Sequence, residues 1–591
     1  MNPEIASNAN SESIASDRKI ASNVNSENIA YVSSEFALTD DLPTYAGGLG
    51  VLAGDILYQA AESKIPMAGI TVFYREGFFQ QLINPEGRQQ HFYESIQPEK
   101  AGLVDTGQLI KIPLVNHEIY LKIWRKDPSA SSGQAPSFPH APLYLLDADT
   151  PENRPEDRKI TDRLYERVWA PHLTDDLVLG IGSVRLARKL RLPIQTWHIN
   201  DDHGALNIME RLREYIAQGA PLDTAREKVK AETIFTTHTP VAGAESKFPK
   251  KEIFPVLTAL FAGVNVDLEA IYELGKRMWG EEEVFSLSVF AMRLARATNA
   301  VSKKHFKVSQ KLWGFIPNLP LSYVTNGVYA PRWTPPELKD TYQQNSKTDD
   351  KNLWEGKLAA KNRVAVKLSQ AALDGKTFDP EALVLCWARR FAKYKQPTLL
   401  TSDLDRLAKI LSSQKMPAYL LISGKAHPED PEGQEFVTQV IKASRDPRIK
   451  DRLIYLPNYS LTLAHDLLAA ADVWLNTPVV GWEASGTSGM KAVYNSALNA
   501  STLDGWWLEG FQPAKGGRAA NGWVIEPDGE DYAGPAYALL ENEIIPLYHR
   551  RENNLPRGWV AMIKEAYNSC GEKFDTKRMI NEYNKLYSSK K

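Results

Sequence analysis

Val384-Leu385-Cys386-Trp387-Ala388 is an apolar run that stops abruptly at Arg389-Arg390. Three similar runs follow: Ala418-Tyr419-Leu420-Leu421-Ile422-Ser423, Leu453-Ile454-Tyr455-Leu456 and Val473-Trp474-Leu475-Asn476. Short continuous apolar runs, separated by segments of helical period such as 398–412 and 435–443, are the pattern of strands buried on both faces of a parallel sheet. The grammar also holds upstream. There the run 194–199 precedes a helical 205–218, and Thr233-Ile234-Phe235-Thr236-Thr237 ends at His238-Thr239-Pro240. Further strand candidates lie at 29–32, 119–124 and 143–146. The reading is α/β, with two Rossmann-like domains facing each other and ligands in the cleft at the carboxyl ends of the strands.

Boundaries follow from composition. Ile5-Ala6-Ser7-Asn8-Ala9-Asn10-Ser11-Glu12 returns as Ile20-Ala21-Ser22-Asn23-Val24-Asn25-Ser26-Glu27, so 1–28 is expected to be a disordered Ser/Asn-rich tail with little apolar surface to bury. A Pro/Ser-rich patch at 128–142 reads as a surface loop. The polar stretch 334–351 reads as a domain crossing. It separates an N-terminal domain, 29–333, from a C-terminal domain, 352–560, with a final helical segment, 561–591, expected to pack back on the first. With 591 residues and 43% hydrophobic composition, the chain can bury more than one core. Lys and Arg number 70 against 72 Asp and Glu, which leaves no electrostatic footprint for nucleic acid or an anionic membrane. Cys386 and Cys570 are too few for a disulfide framework or a zinc site. No apolar stretch reaches the length of a membrane span and residues 1–10 lack the features of a signal peptide, so the expected location is the cytoplasm.

Four segments carry candidate chemistry. Gly47-Gly48-Leu49-Gly50 opens a helical run, which suits either a structural turn or backbone amides approaching an anion. Glu483-Ala484-Ser485-Gly486-Thr487-Ser488-Gly489-Met490-Lys491 places small and hydroxylated residues before a helical 492–498. Tight packing alone would not call for Ser, Thr and Lys together, and the combination reads as a phosphate nest, for a nucleotide sugar or a cofactor. Arg389-Arg390-Phe391-Ala392-Lys393-Tyr394-Lys395 follows a strand, where basic groups point into the crevice or form a solvated rim. His198, Asn200, Asp201, Asp202 and His203 end another strand. They suggest a metal at first glance, but an Asp/His/Asn group bonding sugar hydroxyls explains them without one, and no metal is expected. The 14 Trp residues could stack on sugar rings but are mostly accounted for by packing.

At these residues, and at Tyr31-Val32-Ser33-Ser34-Glu35-Phe36, Val324-Thr325-Asn326-Gly327-Val328 and Gly424-Lys425-Ala426-His427-Pro428, the sequence resembles the α-glucan (glycogen, starch and maltodextrin) phosphorylases, in their compact bacterial and archaeal branch. The order and approximate spacing of the motifs match over nearly everything after the tail. The resemblance implies a GT-B fold, pyridoxal 5'-phosphate, and reversible, retaining phosphorolysis of terminal α-1,4-linked glucose to glucose 1-phosphate. It implies that Lys491 binds the cofactor's aldehyde, and that Gly486, Thr487, Ser488 and Arg389 cradle its phosphate. Arg390 and Lys395, with the Gly47 and Gly48 amides, would hold the substrate phosphate. The glucosyl unit would fall to His238, Asn326, Tyr394, Glu483, Ala484, Ser485 and Gly486, with Asp201 and His203 near the glucan channel. The implied catalytic set is Arg390, Lys395, His238 and Lys491. The implied ligands are an α-1,4-glucan or maltooligosaccharide, inorganic phosphate and glucose 1-phosphate, and a homodimer is left open. No segment resembles the N-terminal control region of the animal enzymes, so nucleotide control is not carried over.

The allocation makes chemical sense. No pair of carboxylates of the hydrolase kind is evident, and a phosphate held by fixed cations and amides could serve as both acid and nucleophile. Two alternatives share the fold: a nucleotide-sugar-dependent glucosyltransferase of the glucan synthase type, and an inactive glucan-binding protein. The first would not need Lys491 to carry an aldehyde. The second would release no glucose 1-phosphate.

Overall fold

The computed structural model describes residues 28–128, 141–165, 173–340, 349–449 and 451–588. The Ser/Asn repeat, most of the 128–142 patch and part of the 334–351 segment lie outside the described residues.

The chain is mixed α/β, built on two mainly parallel sheets. The first comprises β1 (Ile29–Ser33), β2 (Met67–Val72), β3 (Val104–Pro113), β4 (Glu118–Lys126), β5 (Leu143–Asp147), β6 (Thr196–Asn200), β7 (Thr233–Thr236), β8 (Ala297–Ala300) and β9 (Leu321–Tyr323), in the spatial order β9-β8-β7-β6-β1-β2-β5-β4-β3. Only β3 and β4 run antiparallel to their neighbours. The second comprises β10 (Leu383–Ala388), β11 (Ala418–Ser423), β12 (Leu453–Leu456), β13 (Val473–Asn476), β14 (Leu498–Ser501) and β15 (Gly522–Val524), ordered β12-β11-β10-β13-β14-β15 and parallel throughout. In each sheet the third, second, first and fourth parallel strands lie side by side in that order. The chain therefore reverses its winding direction beside the first strand, where a crevice opens at the carboxyl ends.

Period-2 alternation sends each strand's side chains into two layers. In β10, Leu383, Leu385 and Trp387 join one cluster while Val384, Cys386 and Ala388 join another on the opposite face. That double burial explains why the run reads as continuously apolar. Several elements differ from expectation. The helical 398–412 is broken by Asp403, whose side chain caps a helix at Leu404–Leu411 by accepting from the Arg406 amide. The helix placed at 492–498 instead spans α3 (Ser488–Val493), and Leu498 starts β14. Strands β2, β3, β8, β9, β14 and β15 were not evident from the apolar pattern.

Three further helices position the site. α1 (Gly48–Glu62) follows the glycine loop, α2 (Asp350–Ala371) spans the start of the second half, and α4 (Thr576–Ser588) packs Met579, Ile580, Tyr583 and Tyr587 into a cluster that contains Ile29 and Tyr31 of β1. On α2, Lys361 is fully buried and donates to Asp472 at 2.6 Å and to the Ala382 carbonyl at 2.9 Å, while Asp472 also accepts from the Val384 amide. Lys361→Met strands the Asp472 charge in the core, and breaking a buried pair from one side typically costs about 3–5 kcal/mol. The denaturation midpoint is expected to fall and to recover largely in Lys361→Met/Asp472→Asn. A single variant as stable as the parent would show that the pair contributes nothing. Among the described residues no helix is long and apolar enough to cross a membrane.

Candidate active site

The segments following the strands of both sheets surround one cavity of about 1120 Å³, lined by the candidate residues of the glycine loop, the 389–395 and 483–491 segments, Asp201, His203, His238 and Asn326, but not by His198, Asn200 or Asp202. The first sheet supplies Glu35 after β1, Asp201 after β6, His238 after β7 and Asn326 after β9; the second supplies Arg389 and Arg390 after β10 and the 483–491 segment after β13. Chain segments far apart in sequence therefore meet because both sheets present their carboxyl ends to the same space.

On the second-sheet side, Arg389 is buried and spends one nitrogen on the Leu475 carbonyl at 2.9 Å, while its Nε has no partner. Arg390 opens onto the cavity. Burial works against its charge, but Tyr394, Tyr165 and Glu35 more than offset it and hold the guanidinium charged. Lys395 donates to Glu483 at 2.6 Å, so these two candidates pair with one another. Thr487, Gly486 and Ser485 follow. Gly486 has φ +79, a left-handed conformation that favours glycine, and the buried Ser485 hydroxyl has no partner. Ser488 Oγ accepts from the Trp474 indole at 3.0 Å, and the Ala484 carbonyl accepts from Ser302.

Lys491 is buried with its Nζ 4.3 Å from the centre of the Trp333 ring. Burial pulls its amine down to about 8, against the opposing charge of Asp55. Trp333 is held in turn, donating its indole N–H to Asp55 at 2.8 Å and stacking on His465 at 4.3 Å.

On the first-sheet side, the His238 imidazole Nε2–H donates to Asn200 Oδ1 at 2.8 Å, and the Asn200 amide donates to Ser33 Oγ at 3.1 Å. Burial and then His305 push His238 down to about 3, so it is neutral and Nδ1 is left as an acceptor. Asp201 adopts φ +70, and its Oδ1 is buried without a partner; burial and then Asp202 push its carboxyl up to about 7. Asn326 Oδ1 is likewise buried and unpartnered. These orphaned polar atoms, with Ser485 Oγ and Arg389 Nε, are the inventory a hydroxyl-rich and anionic ligand would satisfy.

Burial lowers the pKa of His203, but the ion pair with Asp176 at 2.8 Å outweighs it and lifts the ring to about 9. Because the folded value lies above the ordinary 6.5, this pair stabilises the fold fully below about 6.5 and loses its contribution as pH rises toward 9. Asp176→Asn is expected to flatten that part of the stability–pH curve. An unchanged slope in thermal denaturation across the window would show that His203 is not charged there.

Among the described residues no group of three or more His, Cys, Asp or Glu could hold a metal ion. His198, first grouped with its neighbours, faces away from the cavity: Nδ1 meets the Tyr587 hydroxyl on α4 at 2.8 Å and Nε2 meets Thr236 Oγ1 at 2.7 Å. The Gly47 amide is taken by Glu35 at 3.1 Å. Sequence reasoning assigned no role to Glu35, Tyr165 or Trp333, and it read Asn200 as a sugar-bonding group, whereas its side chain is engaged by His238 and Ser33. Glu35 could have been found by the rule that found Arg389, a charged residue just past an apolar strand.

Residues 282–512 match the family model described as carbohydrate phosphorylase. The chain is 34% identical to the maltodextrin phosphorylase of Thermococcus litoralis, over 94% of this chain and 70% of that protein. It is 33% identical to the glycogen phosphorylase of Aquifex aeolicus, over 94% of this chain and 86% of that protein. The glycogen phosphorylase of Mycobacterium tuberculosis is 33% identical over 94% of this chain and 70% of its own length. Similarity of this extent, over a chain whose glycine loop, paired arginines and buried lysine all open on one cavity, makes the protein a member of the carbohydrate phosphorylase family.

Proposed function

We propose that this protein is an α-glucan phosphorylase, transferring a terminal α-1,4-linked glucosyl unit to inorganic phosphate with retention and releasing glucose 1-phosphate. The observation that carries the reading is the meeting, in one cavity, of Arg390 and Lys395 with the unpartnered polar atoms of Asp201, Asn326 and Ser485. An anion and a polyol are the two ligands such a set accommodates. In this reading the two sheets belong to two GT-B domains, 29–333 and 352–560, with 561–591 returning to the first.

The residues present also fit pyridoxal 5'-phosphate. A buried amine near 8 is neutral in part at neutral pH, the form that attacks an aldehyde, so Lys491 would hold the carbonyl end. Arg389, with its free Nε, and the Gly486–Ser488 backbone would hold the phosphate end. When bound, the cofactor supplies a second phosphate able to exchange a proton with the substrate phosphate. Arg390 and Lys395 bind and orient inorganic phosphate, and Lys395 does so after exchanging its contact with Glu483. Neutral His238 accepts a hydrogen bond from a sugar hydroxyl through Nδ1, and Asn326 and Ser485 take up others.

Incubating the purified protein with maltooligosaccharides and assaying glucose 1-phosphate with and without inorganic phosphate tests the reading. Phosphate-dependent release is expected. Free glucose formed without phosphate, or transfer only from a nucleotide sugar, would overturn it.

A further inference from the structure

Glu35 is a buried carboxylate two residues beyond β1, and it gathers the glycine loop around itself. Its Oε2 accepts the amides of Ala46 at 2.9 Å, Gly47 at 3.1 Å and Gly50 at 3.2 Å, while Oε1 accepts from the Tyr165 hydroxyl. Burial and the Glu35 charge hold the Tyr165 phenol protonated, so it remains a donor.

The glycines of the loop divide into two kinds. A Cβ at Gly50 would lie 2.9 Å from Glu35 Oε2 and 2.6 Å from Tyr45 Cβ, so Gly50 is small to admit the carboxylate. A Cβ at Gly47 or Gly48 would meet nothing within 4 Å, although both residues line the cavity. Nothing in the protein's own packing asks for glycine at those two positions; close approach by a ligand does. Gly48 and Leu49 are the first residues of α1, whose opening amides have no partner within the helix. With Ala46, Gly47 and Gly50 spent on Glu35, the Gly48 and Leu49 amides remain, and both residues line the cavity together with Arg390.

Resting on the phosphorylase reading above, we propose that Glu35 is a positioning residue: by anchoring three amides of the 46–50 loop it sets the Gly48 and Leu49 amides against the substrate phosphate. Glu35 does not touch the anion. Its carboxylate borders the cavity, but its oxygens are engaged by the loop amides and the Tyr165 hydroxyl. The acting property is the position of an acceptor oxygen, which an amide side chain shares: a glutamine oxygen could take the same three N–H groups while its NH2 donates to the Tyr165 oxygen.

The test compares Glu35→Ala with Glu35→Gln in the full-length protein loaded with cofactor. Two readings are made: KM for inorganic phosphate and for maltoheptaose, and the rise in Tm produced by inorganic phosphate alone. Glu35→Ala is expected to raise the phosphate KM roughly 10- to 100-fold, the usual range for lost hydrogen bonds to a charged group, and to diminish the phosphate-induced Tm rise. The maltoheptaose KM should change little, and Glu35→Gln should recover most of the loss. If Glu35→Ala fails to fold, Glu35→Asp withdraws the same oxygen by one methylene and should shift the phosphate KM alone. Unchanged phosphate binding in the Ala or Asp variant overturns the proposal. A Gln variant as impaired as Ala does so too, because charge and not acceptor position would then be acting. In either case parent phosphorolysis leaves the functional reading intact, whereas a parent protein that neither releases glucose 1-phosphate nor gains Tm from phosphate overturns both.

Discussion

Arg390→Ala is expected to slow phosphorolysis by roughly 10² to 10³, the range seen when a preorganised donor to a developing oxyanion is removed, while the cofactor stays bound. Arg390 is the basic side chain that both opens onto the cavity and has its charge supported by Tyr394, Tyr165 and Glu35. Arg389, by contrast, is buried and bonded to the Leu475 carbonyl, with an unpartnered Nε, and it lines the same cavity as Gly486 and Thr487. The two neighbouring arginines should therefore separate experimentally, with loss of rate at Arg390 and loss of cofactor content at Arg389. Lysine is expected to replace Arg390 poorly, since an ammonium offers a point charge where the guanidinium offers a planar fork. The measurement is rate at limiting and saturating phosphate beside spectroscopic cofactor content. Near-normal turnover, or a loss explained wholly by missing cofactor, would refute the assignment to substrate phosphate.

Lys491→Ala is expected to abolish covalent cofactor attachment and with it turnover. Among the described lysines that line the cavity, Lys491 is the one whose amine lies over the Trp333 ring and that follows the Ser/Thr run, and burial lowers its amine to about 8, as it does that of Lys425. Removing it leaves Trp333 anchored through Asp55, and Asn495 bonded to the Trp333 carbonyl at 2.9 Å, so the surrounding framework should persist. Borohydride reduction followed by peptide mapping reads the site directly. A label on another lysine, Lys395 or Lys425 for instance, would refute it, and a variant that unfolds would be recognised by circular dichroism.

The β10 to β13 strands were legible because each is apolar on both faces, as a sheet covered on both sides requires. β14 was not. Its Leu498-Asn499-Ala500-Ser501 carries polar groups that are buried only because distant partners satisfy them: the Asn499 amide donates to the Gly489 carbonyl, and Ser501 accepts from Asn476. The break at Asp403 was also written in the sequence, as an N-cap residue ahead of an amphipathic turn, but the apolar period on either side of it reads as one helix.

At the site, the sequence by itself determined the chemistry on offer. Glycines where a backbone can be approached, arginines just past an apolar strand, and a lysine after a Ser/Thr run are local patterns, and local periodicity is what a single sequence encodes. Only the tertiary structure decided which of these groups are free. Lys395 is paired with Glu483, the Gly47 amide is spent on Glu35, and His198 is turned toward Tyr587 at the far end of the chain. Each of those outcomes depends on the placement of segments that lie from 12 to 389 residues apart. That placement is set by how two sheets and their covering helices fill a common core, and no spacing within one segment reports it.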